Sequence, residues 1–443
     1  MKTPICDFVK EYNDSRSVRL HMPGHKGKSF IGCEALDITE IKGADVLYSP
    51  DGIIAQSEAN ATELFGTAHT YYSAEGSSLA IKAMLALVGQ GCEEKPLILA
   101  SRNVHKAFVY ACALLDYDAE WIYSDDSEHL CSCEITPQNV ENVLTSCERK
   151  PCAVYITSPD YLGKVADVKG IADVCKRFSV PLLVDNAHGA YLAFMKQSVH
   201  PIALGAAMCC DSAHKTLPVL TGGAYLHISE DYDGFCKNAK QSLSLFASTS
   251  PSYLILQSLD LCNKYLADDY AEKLESCICE IDEFKALLKA KGFFCESSEP
   301  LKAVINAAES GYTGDELAEE LRKFGIEPEF SDGQYLVFMF TPENTAEDFE
   351  RLKKAFSSVE IKTSLEVRSF ALNTKPEVKL SIRQAIFAQS EKVKSADSVG
   401  RICASPCVSC PPAVPIVVSG EVITREAAEL FIRFGIEEIE VVK

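Results

Sequence analysis

The sequence lacks any apolar run of about eighteen residues or more, which argues against a membrane-spanning helix. Its opening stretch, MKTPICDFVKEYNDSRS, holds neither an apolar signal core nor a small-residue cleavage site, so a cytoplasmic protein is expected. No low-complexity tract and no internal repeat is visible, so disorder is not the default reading. Basic residues are scarce: 43 Lys+Arg stand against 63 Asp+Glu, a net charge of −20. Such a surface repels nucleic acid and anionic membranes. It draws in a small cation weakly, although plain solubility accounts for the same figure.

What is plentiful is cysteine, nineteen in all. Cys152, Cys209 and Cys210 sit inside apolar runs, where a thiol packs as a small hydrophobe, and with no secretory signal the set is expected to be reduced. Cys407 and Cys410 form a C-x-x-C, and Cys131 and Cys133 a C-x-C. A zinc site needs a second pair at ligand spacing, and none stands nearby, so no metal is expected.

At 443 residues, 47% of them hydrophobic, the chain has material for two or three domains. Short apolar runs alternate with helical patterns: PLILA (96–100), EWIYS, CAVYITS (152–158), VPLLVD (180–185), AAMCCDS and GGAYLHIS. This alternation predicts an α/β fold around a mostly parallel, buried sheet. Thr136 is expected to cap the helix in TPQNVENVLTSC. One long helical stretch is expected from about 252 to 291. A small α+β domain follows, containing KAVIN, GDELAEELRKFG, EPEFS, QYLVFMF and AEDFERLKKAF. Residues 376–443 hold a Pro-rich segment, 405–415, and a final helix. The expected boundaries are 1–255, 256–375 and 376–443.

Four features carry chemistry. Asp211-Ser212-Ala213-His214-Lys215-Thr216 follows an apolar strand. A lysine there, among small and hydroxyl residues, is placed for desolvation and hence for use as a Schiff-base nucleophile. An ordinary surface lysine is the competing reading. Asp185 ends PLLVD at the carboxyl edge of the sheet, where open α/β sheets bind ligands. It could pair with a protonated pyridine nitrogen, cap a helix or bind Mg²⁺. Gly76-Ser77-Ser78 opens a helix and could cradle a phosphate, or serve only as a cap. His105, after PLILA, could stack on an aromatic ring or be structural. Each is ambiguous alone; their order is phosphate cup, stacking His, ring-nitrogen Asp, Schiff-base Lys.

That order resembles fold-type I pyridoxal 5′-phosphate (PLP) enzymes, with the aspartate aminotransferase-like fold. In detail the chain resembles the short form of the Orn/Lys/Arg decarboxylase family. The likeness runs through HMPGHKG, residues 37–72, EGSSLAIKAML, SRNVHKAF, LVDNAHGAY, DSAHKTLP, LFASTSPSYLILQSLD, LSIRQAIFAQSEKV and CPPAVPIVVSGEVI. The resemblance implies that Lys215 holds the cofactor, Asp185 its ring nitrogen and His105 its ring face. Ala187, beside His188, packs beneath the ring. Gly76, Ser77, Ser78, Ser212 and His214 line the phosphate. Ser248 or Thr249 reaches the phosphate of a neighbouring subunit, which implies a homodimer with shared sites. Glu421 is a candidate partner for the distal cation of a lysine, arginine or ornithine substrate, whose amine product would enter polyamine biosynthesis. The chain departs from the family at Ala44–Ser49 and at Ser409–Pro415, where an aromatic residue is missing. Both segments lie toward the substrate. Another fold-type I reaction stays open, since Arg368 and Arg383 could bind a substrate carboxylate. So does a non-catalytic PLP-binding homologue.

Overall fold

The computed structural model describes residues 1–124, 129–132, 134–366, 375–408 and 413–443. Cys133, Arg368 and Ser409–Pro412, with Cys410 of the C-x-x-C, therefore lie outside the described residues.

Seven strands make the main sheet: β1 (His69–Ser73), β2 (Leu97–Ser101), β3 (Asp118–Ile122), β4 (Ala153–Thr157), β5 (Leu182–Asp185), β6 (Met208–Asp211) and β7 (Ala224–Ile228). Their order is β1-β7-β6-β5-β4-β2-β3. The sheet is mostly parallel, as the alternation of runs predicts; β2–β3 and β5–β6 pair in parallel. β7 is the exception and runs antiparallel to both β6 and β1. β2, β5, β6 and β7 are buried along their whole length, which is why they read as unbroken apolar runs.

The chain divides into two compact units. The first comprises Met1–Cys92, Cys152–Val154 and Val168–Glu272. Its helix Gly76–Val88 is apolar on all sides because it packs between β6 and β7 and the helix Cys236–Ser244. The helix Val168–Phe178 instead buries one stripe, Val168, Ile171, Ala172, Val174 and Cys175. The second unit comprises Glu93–Pro151, Tyr155–Asp167 and Lys273–Lys443. It holds a four-stranded antiparallel sheet in the order Phe330–Ser331, Tyr335–Met339, Lys302–Asn306, Phe294–Cys295. Thr136 caps its helix with a full capping box through Asn139, as expected; Thr313 and Thr345 do the same for the helices Gly314–Arg322 and Ala346–Ser358.

Two expectations are corrected, and one strand was not anticipated. The stretch 252–291 is two helices, Tyr253–Ala267 and Tyr270–Ala290, because Asp268 is non-helical (φ −83°, ψ −102°); consecutive Asp residues compete for backbone donors and break helices. HTYYS is a strand, although its polar ends hide it. The C-terminal helix Arg425–Arg433 is not the last element: Glu438–Val442 returns as a strand against Ser390–Lys394. No helix among the described residues is long and apolar enough to cross a membrane.

Candidate active site

In the first unit, the ends of β1, β5 and β6 bring several sequence-predicted residues into contact. Gly76 begins its helix at φ +71°, a left-handed conformation open to glycine, and its N–H donates to the Gly222 carbonyl at 2.7 Å. Gly222, at φ +101°, lies against Ala74, whose carbonyl oxygen would be 3.1 Å from an added Cβ. Ser77 and Ser78 follow in the first helical turn, where backbone N–H groups have no intrahelical acceptor. The Ser212 hydroxyl, reaching over from the end of β6, donates to Ser77 Oγ at 2.8 Å.

Lys215 stands in the short helical turn Ala213–Thr216 between β6 and β7. Its Nζ donates to His188 Nε2 at 3.0 Å. His188 is buried, in the turn that follows β5. The neighbouring His214 turns its Nδ1–H to the Gly223 carbonyl at 2.9 Å. Burial, aided by the Lys215 charge, lowers the His214 pKa. Asp185 ends β5 and is 2% exposed. Its Oδ1 accepts from the Ala187 N–H at 3.3 Å and from the Cys210 thiol at 3.6 Å. Ser248 and Thr249 are exposed; the Ser248 N–H donates to Glu75 Oε1 at 2.6 Å.

His105 and Glu421 belong to the second unit. His105 caps the helix Lys106–Leu115, its Nδ1 accepting from the Ala107 N–H at 3.1 Å. Glu421 is 2% exposed, and its Oε2 accepts from the Val418 N–H at 2.7 Å and from Arg102 at 3.2 Å. Glu421 Oε1 is buried with no partner among the described residues. Arg102 also donates to the carbonyls of Pro415 and Ile416, and its guanidinium lies 5.2 Å from the Trp121 ring. Sequence reading passed over Arg102, although it sits three residues before His105. Arg383 is engaged elsewhere: it donates to the carbonyls of Ala113 and Leu114 at a helix end.

A second residue missed in sequence is Asp45, within a segment read only as a departure from the family. At φ +70° its carboxylate accepts from the N–H groups of Val46, Asp51, Gly52, Ile54 and Ala55, closing the start of the helix Ile53–Phe65. Burial raises its pKa, but these backbone donors outweigh that and hold it below the ordinary value.

The sequence model described as "Orn/Lys/Arg decarboxylase, major domain" matches residues 3–306. The chain belongs to this decarboxylase family. It is 31% identical to the arginine decarboxylase of Bacillus subtilis over 96% of this chain and 92% of that one. It is 32% identical to the arginine decarboxylase of Halalkalibacterium halodurans over 96% and 91%. The lysine decarboxylase LdcF of Francisella novicida shares the fold, with a TM-score of 0.82 at 17% identity over 100% of this chain and 81% of that one. The decarboxylase-family chain is thus an amino-acid carboxy-lyase with a fold-type I architecture.

The donor set fits PLP, the cofactor the family implies. The helix-opening amides of Ser77 and Ser78 with the paired hydroxyls of Ser77 and Ser212 suit a phosphate. A buried carboxylate at Asp185 suits a protonated ring nitrogen. A lysine amine beside an imidazole suits the aldehyde.

Proposed function

We propose that the chain decarboxylates a basic amino acid with PLP held at Lys215, and that arginine is the first substrate to test among arginine, lysine and ornithine. The observation that carries this reading is the Lys215–His188 contact, set in one compact unit with Asp185 and the Ser77–Ser212 pair. The names of the relatives favour arginine.

When bound, PLP supplies a conjugated ring that accepts the electron pair left as CO₂ departs. The chain supplies the rest. Ser77, Ser78 and Ser212, with the Gly76 turn and His214, bind the phosphate. His188 Nε2 takes a proton from Lys215 Nζ, leaving the amine lone pair free to attack. Asp185, charged and buried, would hold a proton on the ring nitrogen. Ala187 would pack against the cofactor's ring, and the family resemblance gives His105 the stacking role. Lys215, protonated again through His188, returns a proton to Cα to complete the amine. Glu421 Oε1 is the acceptor offered to the substrate's distal cation.

A second copy of the chain is part of this reading. Val18, Leu20, Met22, Phe30 and Ile31 are 65–90% exposed within one N-terminal segment. Apolar surface of that extent favours burial in an interface. Ser248 or Thr249 would then reach the neighbour's phosphate group.

The deciding experiment incubates PLP-loaded protein with arginine, lysine and ornithine and follows CO₂, amine and keto-acid together. Amine and CO₂ in equal amounts, without keto-acid, support the reading; keto-acid formation or inert yellow protein overturns it. Light scattering of the same sample is expected to give a dimer mass.

A further inference from the structure

Beneath the site just described lies a second cluster for which the decarboxylation mechanism has no use. His200, Cys209, Asp211 and His227 are each at most 1% exposed, and their donor atoms lie within 4.8 Å of one another. Three of them come from one patch of sheet. Cys209 and Asp211 are two apart on β6 and so share a face. His227 on β7 pairs in register with Cys209. His200 arrives from the segment before β6. His200 Nε2 and His227 Nε2 each lie 3.1 Å from Asp211 Oδ2, and Cys209 Sγ lies 3.8 Å from His200 Nε2.

We propose that these four side chains form a closed, tetrahedral structural site for Zn²⁺. Zinc bonds of about 2.0–2.3 Å in a tetrahedron put neighbouring ligand atoms roughly 3.3–3.6 Å apart, and the observed separations bracket that range. Two nitrogens, one carboxylate oxygen and one thiolate sulfur are a zinc donor set. Around Asp211 and His227 the surroundings have the character of an outer ligand shell, whereas His200 Nδ1 is buried without a partner among the described residues. Asn186 Nδ2 donates to Asp211 Oδ1 at 2.7 Å, fixing the carboxylate. Thr70 Oγ1 lies 2.9 Å from His227 Nδ1, which leaves Nε2 facing the cluster. The Phe65 ring covers both imidazoles, 4.5 Å from His227 and 5.7 Å from His200 between centroids.

Two hydrogen bonds from the imidazoles to Asp211 are the competing account. They reduce Cys209 to a buried thiol packed 3.8 Å from His200 Nε2. In that account Asp211 is fully partnered, accepting from Asn186 and from both imidazoles, so the observation that sets zinc apart is the Cys209 sulfur brought to the same cluster. On zinc binding the Cys209 thiol releases its proton to solvent and four coordinate bonds form. The dication then balances one thiolate and one carboxylate, and the site is neutral. Because the ligands are buried, the ion enters as the unit folds. The sequence gives no ligand-spacing signal: the four positions spread over 27 residues and join only through strand pairing.

The test is elemental analysis of the purified, PLP-loaded protein after EDTA dialysis, from cells grown with zinc and, separately, with cobalt. About one zinc per chain is expected, and the cobalt protein should show the thiolate-to-cobalt charge-transfer band of a tetrahedral site. Cys209→Ser should abolish that band, and His227→Gln should lower the metal content. Folded, PLP-binding wild type with less than about a tenth of an equivalent of metal overturns the proposal. A charge-transfer band that survives Cys209→Ser overturns it too, because the ion then sits elsewhere. If either variant fails to fold, the wild-type metal content decides.

Discussion

Lys215 Nζ and His188 Nε2 lie 3.0 Å apart although 27 residues separate them in sequence. The two turns after β5 and β6 are adjacent because those strands are parallel neighbours. Lys215→Ala is expected to lose the visible absorbance of the attached cofactor and all turnover. His188→Gln should keep the absorbance and lower kcat about a hundredfold or more, the range for a lost proton-transfer partner. Steady-state kinetics with absorbance spectra distinguish the two outcomes.

Ser212 reaches Ser77 across two strand ends, and both hydroxyls belong to the proposed phosphate site. Ser212→Ala should weaken PLP binding roughly tenfold to a hundredfold, the worth of one hydrogen bond to a charged group. Equilibrium dialysis of the apoprotein measures it. An unchanged affinity would remove Ser212 from the phosphate site.

Glu421 is paired with Arg102 in a buried setting. Glu421→Gln keeps the shape but removes the charge, and the Arg102 guanidinium then stays buried without its counter-ion. A stability loss of roughly 3 kcal/mol is expected in urea unfolding. A raised KM with unchanged stability would instead assign Glu421 wholly to the substrate.

Asp45 accepts five backbone N–H groups at the start of one helix. Asp45→Ala should cost about 1–2 kcal/mol of stability, in line with lost helix caps. The same denaturation series reads it.

Asp160 gives the pH dependence. Burial raises its pKa from 3.8 to about 6, against the lowering pull of the Lys164 N–H, Ser132 and Lys302. The folded state therefore holds this proton more tightly than the unfolded chain does. Its contribution to stability is complete below 3.8 and is lost as pH rises through about 6. Asp160→Asn should thus gain stability relative to wild type between about pH 4 and about pH 8. Taking the difference between the two proteins cancels the other carboxylates.

The alternation of apolar runs made six of the seven main strands readable, because most of them are buried and mainly apolar, with polar residues such as Asp185 and Asp211 falling at strand ends. β1 was not readable: His69 and Thr70 give it polar character, and its place beside β7 is set by pairing. The break at Asp268 was visible as an Asp-Asp pair but was outweighed by helical spacing on both sides. Lys215, Asp185 and the Gly76–Ser78 turn were visible as motifs at strand ends. Arg102 and the His200–His227 cluster were not, because their partners lie up to 319 residues away or on neighbouring strands, and Asp45 was not, because its partners are backbone amides that carry no residue signature. Sequence spacing holds no record of such partners.

The antiparallel placement of β7 has one more consequence. The turn bearing Lys215 joins β6 to β7, and the Gly222 carbonyl at its end holds the Gly76 amide that opens the turn after β1. The proposed nucleophile and the proposed anion cradle are thus fastened to the same ladder, β1-β7-β6. Any fluctuation that peels β7 away dismantles both at once, and a ligand gripping both ends must wait for it to close. Amide hydrogen exchange along Ala224–Ile228 and His69–Ser73 should therefore slow when cofactor is present, strand by strand and in step.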